Sequence, residues 1–276
     1  MSTAVDTRSS ARNQFANDAQ TLKAIVADVL QYARERGATA CEAEVSEGVG
    51  QTVTVRQDEV ETIEYNRDKS MGISVYIGQR RGHASTSDFS RAAVRATADA
   101  ALSIAKFTAE DEFAGLADEA LLARDIPDLD LFHPWAIDSE AATALALRCE
   151  VAALQTDARI TNSEGAGVSA QQSHFFTGNS RGFRGGYASS RHSISVAPIA
   201  GRGNGMQRDA WYSSMRRAQD LARPEAIGRY AAERALSRLG SRKISTRTCP
   251  VLFESTLRSE EHTSELQSRG LISYAV

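Results

Sequence analysis

The stretch Ala40-Cys41-Glu42-Ala43-Glu44-Val45-Ser46-Glu47 decides the fold class, because apolar and polar residues alternate along it. Strand side chains point alternately to opposite faces, so a period of two predicts one buried and one solvated face. The alternation returns in Thr52–Val55 and Ile73–Ile77, with Val60–Tyr65 and His83–Ser87 as further runs. Gly48, Gln57-Asp58, Asp68-Lys69 and Gly78 read as the turns between them. Connections this short cannot carry parallel crossovers, so the expectation is an antiparallel meander of short strands.

Helical periodicity brackets this run. Asn17-Asp18-Ala19-Gln20 has the form of a capping box with Asn17 as N-cap, and Leu22, Ile25, Val26, Val29, Leu30 and Ala33 follow at three- and four-residue steps to a stop at Gly37. A second helix, capped near Ser87 or Asp88, runs through Val94, Ala98, Ala101, Leu102 and Ala105. Helix, meander and helix make one α+β unit over residues 17–110, after a frayed tail over 1–16. Acidic residues and prolines mark 111–137 as a linker or crossover. Asp138 then caps a third helix through Leu145, Cys149, Ala152 and Ala153.

Ile160, Val168, Phe175-Phe176, Tyr187, Ile194–Val196 and Trp211-Tyr212 mark a second set of strands. Pro224 opens a fourth helix that stops at Gly240. The expected fold class is α+β: two helix-plus-antiparallel-sheet units, 17–110 and 138–240. Cys249–Phe253 begins an apolar strand in the start of a third, truncated domain over 241–257.

Arg258–Ser268 reads as the in-frame translation of a common sequencing adapter. Arg269-Gly270-Leu271 leaves room for an index, and Ile272–Val276 matches the adapter beyond it. The expectation is therefore that 258–276 are non-native and that Met1–Leu257 is a fragment of a longer chain.

A formal charge of −3 over 276 residues gives no general attraction to nucleic acid or to anionic membrane. No apolar run reaches the length of a membrane span. Cys41, Cys149 and Cys249 have no metal-ligand or disulfide spacing and read as buried free thiols of a reducing compartment. With no apolar signal segment before Phe15, a cytoplasmic location is expected.

Several segments resemble the TldD/PmbA family of metallopeptidases, and within it the PmbA (TldE) branch. They include Val45-Ser46-Glu47-Gly48, Glu61–Lys69, Val75–Phe89 and Asn162-Ser163-Glu164-Gly165-Ala166. Gln172–Phe175, Gly178-Asn179-Ser180, Ser189-Ser190-Arg191-His192 and Cys249–Phe253 complete the set, in family order. The resemblance implies a three-part chain whose last domain would begin near Leu236 to Cys249. It also implies a heterodimer with a TldD-like subunit, enclosing a cavity in which small or unfolded peptides are cut, microcin precursors and an antitoxin among them. The metal, expected to be zinc, would sit on the TldD-like partner in an H-E-x-x-x-H site, leaving no cofactor on this chain.

The residues themselves agree with a non-catalytic role. A zinc peptidase needs two histidines one helical turn apart and a glutamate to activate water. None of His83, His133, His174, His192 and His262 has that spacing. Gly178-Asn179-Ser180-Arg181-Gly182 fits the G-x-S-x-G pattern of a nucleophile elbow. The glycines and aromatics after Ser180 argue for a turn into a strand rather than the required helix, and no acid lies between Ser180 and His192. Gly201–Gly205 reads as a mobile loop rather than a phosphate loop. Glu42, Glu44 and Glu47 are expected on one strand face, near Glu59, Glu61 and Glu64, as solvated carboxylates. Asn179, Ser180, Arg191 and His192 are the candidates for a substrate-chamber wall, where Arg191 and Asn179 would hold a peptide by its carboxylate or backbone. The leading reading is a PmbA-like, non-catalytic peptidase subunit; the alternative is a non-enzymatic peptide-binding scaffold.

Overall fold

A computed structural model describes residues 15–252. Up to Leu239 they form one compact unit; Gly240–Leu252 belong to a second unit and contain no helix or strand. The apolar strand expected from Cys249 is absent over Cys249–Leu252, and Phe253 and the adapter-like residues 258–276 lie outside the described residues. A strand needs a ladder partner, and Val251 and Leu252 are exposed.

The fold is α+β. Helices α1 (Ala19–Glu35) and α2 (Arg91–Phe107) bracket strands β1 (Ala40–Arg56), β2 (Glu59–Ile77) and β3 (Arg80–Thr86). Helices α3 (Ser139–Leu154) and α4 (Pro224–Ser237) bracket β4 (Ile160–Asn179), β5 (Arg184–Gly185), β6 (Ala188–Ala200), β7 (Gln207–Arg208) and β8 (Trp211–Met215). All the strands belong to one antiparallel sheet of order β3-β2-β1-β4-β6-β7, with β5 beside β4 and β8 beside β6. The two helix-plus-sheet units therefore share a sheet, joined at the β1–β4 ladder.

The short strands expected from the turn signals merge into long ones. Gly48 and Asp68-Lys69 lie inside β1 and β2, opposite one another as Gly48↔Asp68 and Glu47↔Lys69. The chain reverses at Gln57-Asp58, both with left-handed φ (53° and 67°), and at Gly78 (60°). Two consecutive left-handed residues match the right-handed twist of a hairpin, which is why this pair turns and a lone glycine inside a ladder does not. Helix caps shift slightly from expectation. Asp18 rather than Asn17 caps α1, accepting from Thr21 N, and Ser90 caps α2. Asp138 and Pro224 start α3 and α4 as expected.

All four helices cover the same face of the sheet. Cys41, Ala43, Val45, Met71, Ile73 and Val75 pack under α1 and α2. Val53, Val55, Val168, Ile194 and Val196 pack under α3 and α4. Each fully buried aliphatic side chain of this kind contributes roughly 1.5–3 kcal/mol. Between the two cores lies a belt of buried polar residues: Glu47, Gln51, Gln172, His174, Ser190 and His192. Ladder pairs place them side by side, with Glu47↔His174, Val49↔Gln172 and Gln172↔Ser190 in register. Glu47 therefore lies on the helix face with Val45 and Val49, not with Glu42 and Glu44 as expected, because an odd spacing reverses direction in a strand.

Candidate functional site

The other face of the sheet carries none of these helices and is lined mainly by polar side chains, with the aromatic pair Phe175 and Tyr187 among them. Its central part is built from Glu42, Glu44 and Ser46 of β1, Ser70, Gly72 and Ser74 of β2, His83 and Ser85 of β3, and Thr177 of β4. Together they enclose a shallow hollow of about 470 Å³. Register explains the grouping: Glu44 sits opposite both Gly72 and Thr177, and Glu42 opposite Ser74, which faces His83. The groups are held by one another. Tyr76 donates its hydroxyl to Glu42 (3.1 Å), the Ser74 hydroxyl meets His83 Nδ1 (3.1 Å), and Arg81 donates to Ser74 Oγ (3.1 Å). Burial pushes the Tyr76 hydroxyl above its ordinary pKa, and the adjacent Glu42 carboxylate adds to the shift. Tyr76 therefore stays a donor at neutral pH.

The polar face continues across β4, β6 and β8. Thr52 and Ser169 are hydrogen-bonded (3.2 Å), Gln171 reaches both hydroxyls, and Arg191 donates to Ser214 (2.9 Å). Hydroxyls donate and accept equally, so such a surface can meet peptide backbone groups whatever the side chains are.

The four residues expected at a chamber wall do not form one cluster. Arg191 is exposed on this open face. Asn179 is buried, its Oδ1 accepting from Arg181 N (3.0 Å) and Phe183 N (3.1 Å), so it shapes the turn after β4. Ser180 Oγ accepts from Cys41 N at 3.0 Å and ties that turn to β1. Past Ser180 the chain turns directly into β5, so the strand–turn–helix of a nucleophile elbow is not present. His192 lies on the helix face, its Nε2 at 2.9 Å from the His133 carbonyl and its ring edge-on to Trp135. It docks the crossover: Ser190 N donates to Leu131 O, and His133 N donates to Ser190 Oγ. Sequence reasoning did not single out Ser74 and Thr177, read Glu44 as a solvated strand-face carboxylate, and weighed His83 only as a zinc ligand. Period-two polar residues in β1 and β4 signal their face, but strand adjacency is what assembles them.

The described histidines are dispersed over the fold. His83 is on the open face, His133 in the crossover, and His174 and His192 in the buried belt. Among the described residues no three His, Cys, Asp or Glu side chains are grouped to hold a metal ion. Thiol chemistry has no foothold on the two buried cysteines. Burial pushes the Cys149 thiol to about 12, and burial raises that of Cys41 too. Cys249, contrary to expectation, is exposed.

Comparison with known proteins places this geometry. Family models described as PmbA/TldA metallopeptidase domain 1 and central domain match residues 41–105 and 132–239. The chain belongs to the TldD/PmbA family, in its PmbA branch. It is 45% identical over 232 residues to metalloprotease PmbA of Escherichia coli O157:H7, covering 84% of this chain and 51% of that protein. It is 42% identical over 234 residues to a PmbA homologue of Haemophilus influenzae, covering 85% and 52%. This member of the family thus spans about half the length of the curated relatives it matches. Two crystal structures share the fold. A candidate DNA gyrase modulator of Bacteroides thetaiotaomicron has a TM-score of 0.73 at 24% identity, over 80% of this chain and 51% of that one. TldE of Thermococcus kodakarensis has a TM-score of 0.64 at 14% identity, over 77% and 47%. Among the described residues no helix is long and apolar enough to cross a membrane.

Proposed function

We propose that this chain is part of a PmbA-like subunit of a cytoplasmic, heterodimeric metallopeptidase that degrades or matures small or unfolded peptides. In this reading a TldD-like partner carries the zinc and the water it activates, and the present chain holds the substrate. The observation that carries the reading is the open sheet face, a mainly polar surface with the Phe175–Tyr187 ring pair between Thr177 and Gln171, in a chain related to proteins named metalloprotease PmbA.

An extended peptide laid along β4 would exchange backbone hydrogen bonds with Thr52, Ser169, Gln171 and Thr177. Its amino end would meet the carboxylates of Glu42 and Glu44, and its carboxylate would meet Arg191. Thr177, opposite Glu44, and Gln171, opposite Arg191, are six positions apart on β4. At strand rise that is about 20 Å, the reach of roughly six extended residues.

The test is turnover of hexapeptides by the full-length chain assembled with a TldD-like subunit. Arg191→Ala should raise KM about tenfold for a peptide with a free carboxylate, a loss typical of one charge-assisted contact, and leave an amidated peptide unaffected. Turnover of both peptides unchanged by Arg191→Ala would remove this assignment.

A further inference from the structure

We propose that the outer edge of β2, residues Glu59–Ser70, is a docking edge for a second copy of this chain, paired antiparallel about a two-fold axis at Tyr65. β2 is bonded to β1 along its whole length, but β3 covers it only over Met71–Ile77. Every residue from Glu59 to Ser70 is exposed, and among the described residues no strand lies on that side. Val60, Ile63 and Tyr65 are 48%, 46% and 69% exposed. Ile63 and Tyr65 stand opposite Val53 and Gln51 of β1, so both lie on the helix face of the sheet. A long unpaired edge with apolar side chains is a template for another strand.

Charged residues on an edge often serve to keep copies apart, and the order of charges separates guarding from pairing. With the axis on Tyr65, antiparallel pairing sets Tyr65 on Tyr65, Glu64 on Asn66, Ile63 on Arg67 and Thr62 on Asp68. Glu61, the extra residue of the bulge between Thr54 and Val55, then falls near Lys69 at the end of the ladder. No like charges oppose one another in this register, and an aromatic pair occupies its centre. Shifting the axis to Glu64 sets two glutamates face to face, and shifting it to Asn66 sets Glu64 against Asp68. The sequence of the edge is thus complementary to itself in the Tyr65 register, as a two-fold interface requires. Lys69 lies 5.1 Å over the Phe89 ring of its own chain, which holds this end of the edge in place.

Sedimentation equilibrium of the full 276-residue chain, without any partner protein, tests the pairing. A dimer is expected that weakens about tenfold or more with Tyr65→Glu, because two carboxylates then meet on the axis. Tyr212→Glu, at an exposed tyrosine of β8, should leave it unchanged. Tyr65→Cys in a Cys249→Ser background should give a covalent dimer under mild oxidation, since strand partners lie within disulfide reach. A chain that stays monomeric, or a dimer indifferent to Tyr65→Glu and not cross-linked through residue 65, would overturn the proposal.

Discussion

Glu47 and His174 are direct partners across the β1–β4 ladder, with Glu47 Oε2 3.7 Å from His174 Nε2 and both side chains buried. They sit where the two apolar cores meet. Glu47 also accepts from Ala16 N (2.6 Å), Asn17 N (3.0 Å) and Asn17 Nδ2 (3.1 Å), and Phe15 stacks on the His174 ring at 3.9 Å. A carboxylate and an imidazole thus anchor the segment leading into α1 to the middle of the sheet.

This pair should make the fold acid-labile. Burial lowers the pKa of His174 below its ordinary value, with Glu47 pulling the other way. Burial pushes Glu47 up, but the hydrogen bonds from Ala16 and Asn17 outweigh it and its carboxyl titrates below the usual range. Burial lowers His192 as well. In each case the unfolded chain takes up a proton that the folded chain resists. The contributions are therefore full above about pH 6.5, the unfolded histidine value, and are lost as pH falls, with Glu47 adding its share below about pH 4.3. Urea midpoints should be lower at about pH 5.5 than at about pH 7.5, and His174→Gln should shrink that difference. Equal midpoints for the unsubstituted chain would contradict this.

Glu150 of α3 is fully buried and accepts from Gln57 N (3.2 Å) and Asp58 N (3.3 Å), the two left-handed residues at the β1–β2 turn. Glu150→Ala leaves two amides without their acceptor and should cost about 1–3 kcal/mol in denaturant unfolding. Asp58→Gly should instead stabilise by roughly 0.5 kcal/mol or more, since glycine adopts the left-handed region without strain. A destabilised Asp58→Gly chain would show that its side chain matters more than its backbone.

Two glycines set how closely helices approach. A Cβ on Gly82 would lie 2.0 Å from Ala101 O in α2, and one on Gly228 would lie 2.3 Å from Cys149 O in α3. The obstacle is backbone in both cases, so a helix must move. Gly82→Ala and Gly228→Ala should each cost about 1–3 kcal/mol or more. Thermal unfolding reads this directly, and an unchanged midpoint would mean the helices are not seated this tightly.

The sequence made the helices and their approximate ends legible because burial repeats at helical steps under Leu22, Val26 and Val29, and because Asp138 and Pro224 are strong start signals. It also made the antiparallel class legible through alternation at Cys41, Ala43 and Val45. Strand length was not legible: Gly48 and Asp68-Lys69 look like turns locally, and only their pairing with one another keeps them extended. Glu47 was readable in principle, since it shares odd parity with Val45 and Val49. Arg191 was legible as a polar interruption between strand residues. The surface it belongs to was not, because Glu44, Thr177 and Ser74 become neighbours only through the order β2-β1-β4.

The measurement that bears most directly on the central claim is zinc content and peptide cleavage by the purified full-length chain, alone and mixed with a TldD-like subunit. The chain alone should hold no stoichiometric zinc and cleave nothing, and the mixture should show zinc-dependent cleavage. Zinc retained one-to-one by the isolated chain, together with cleavage of a test peptide, would contradict this.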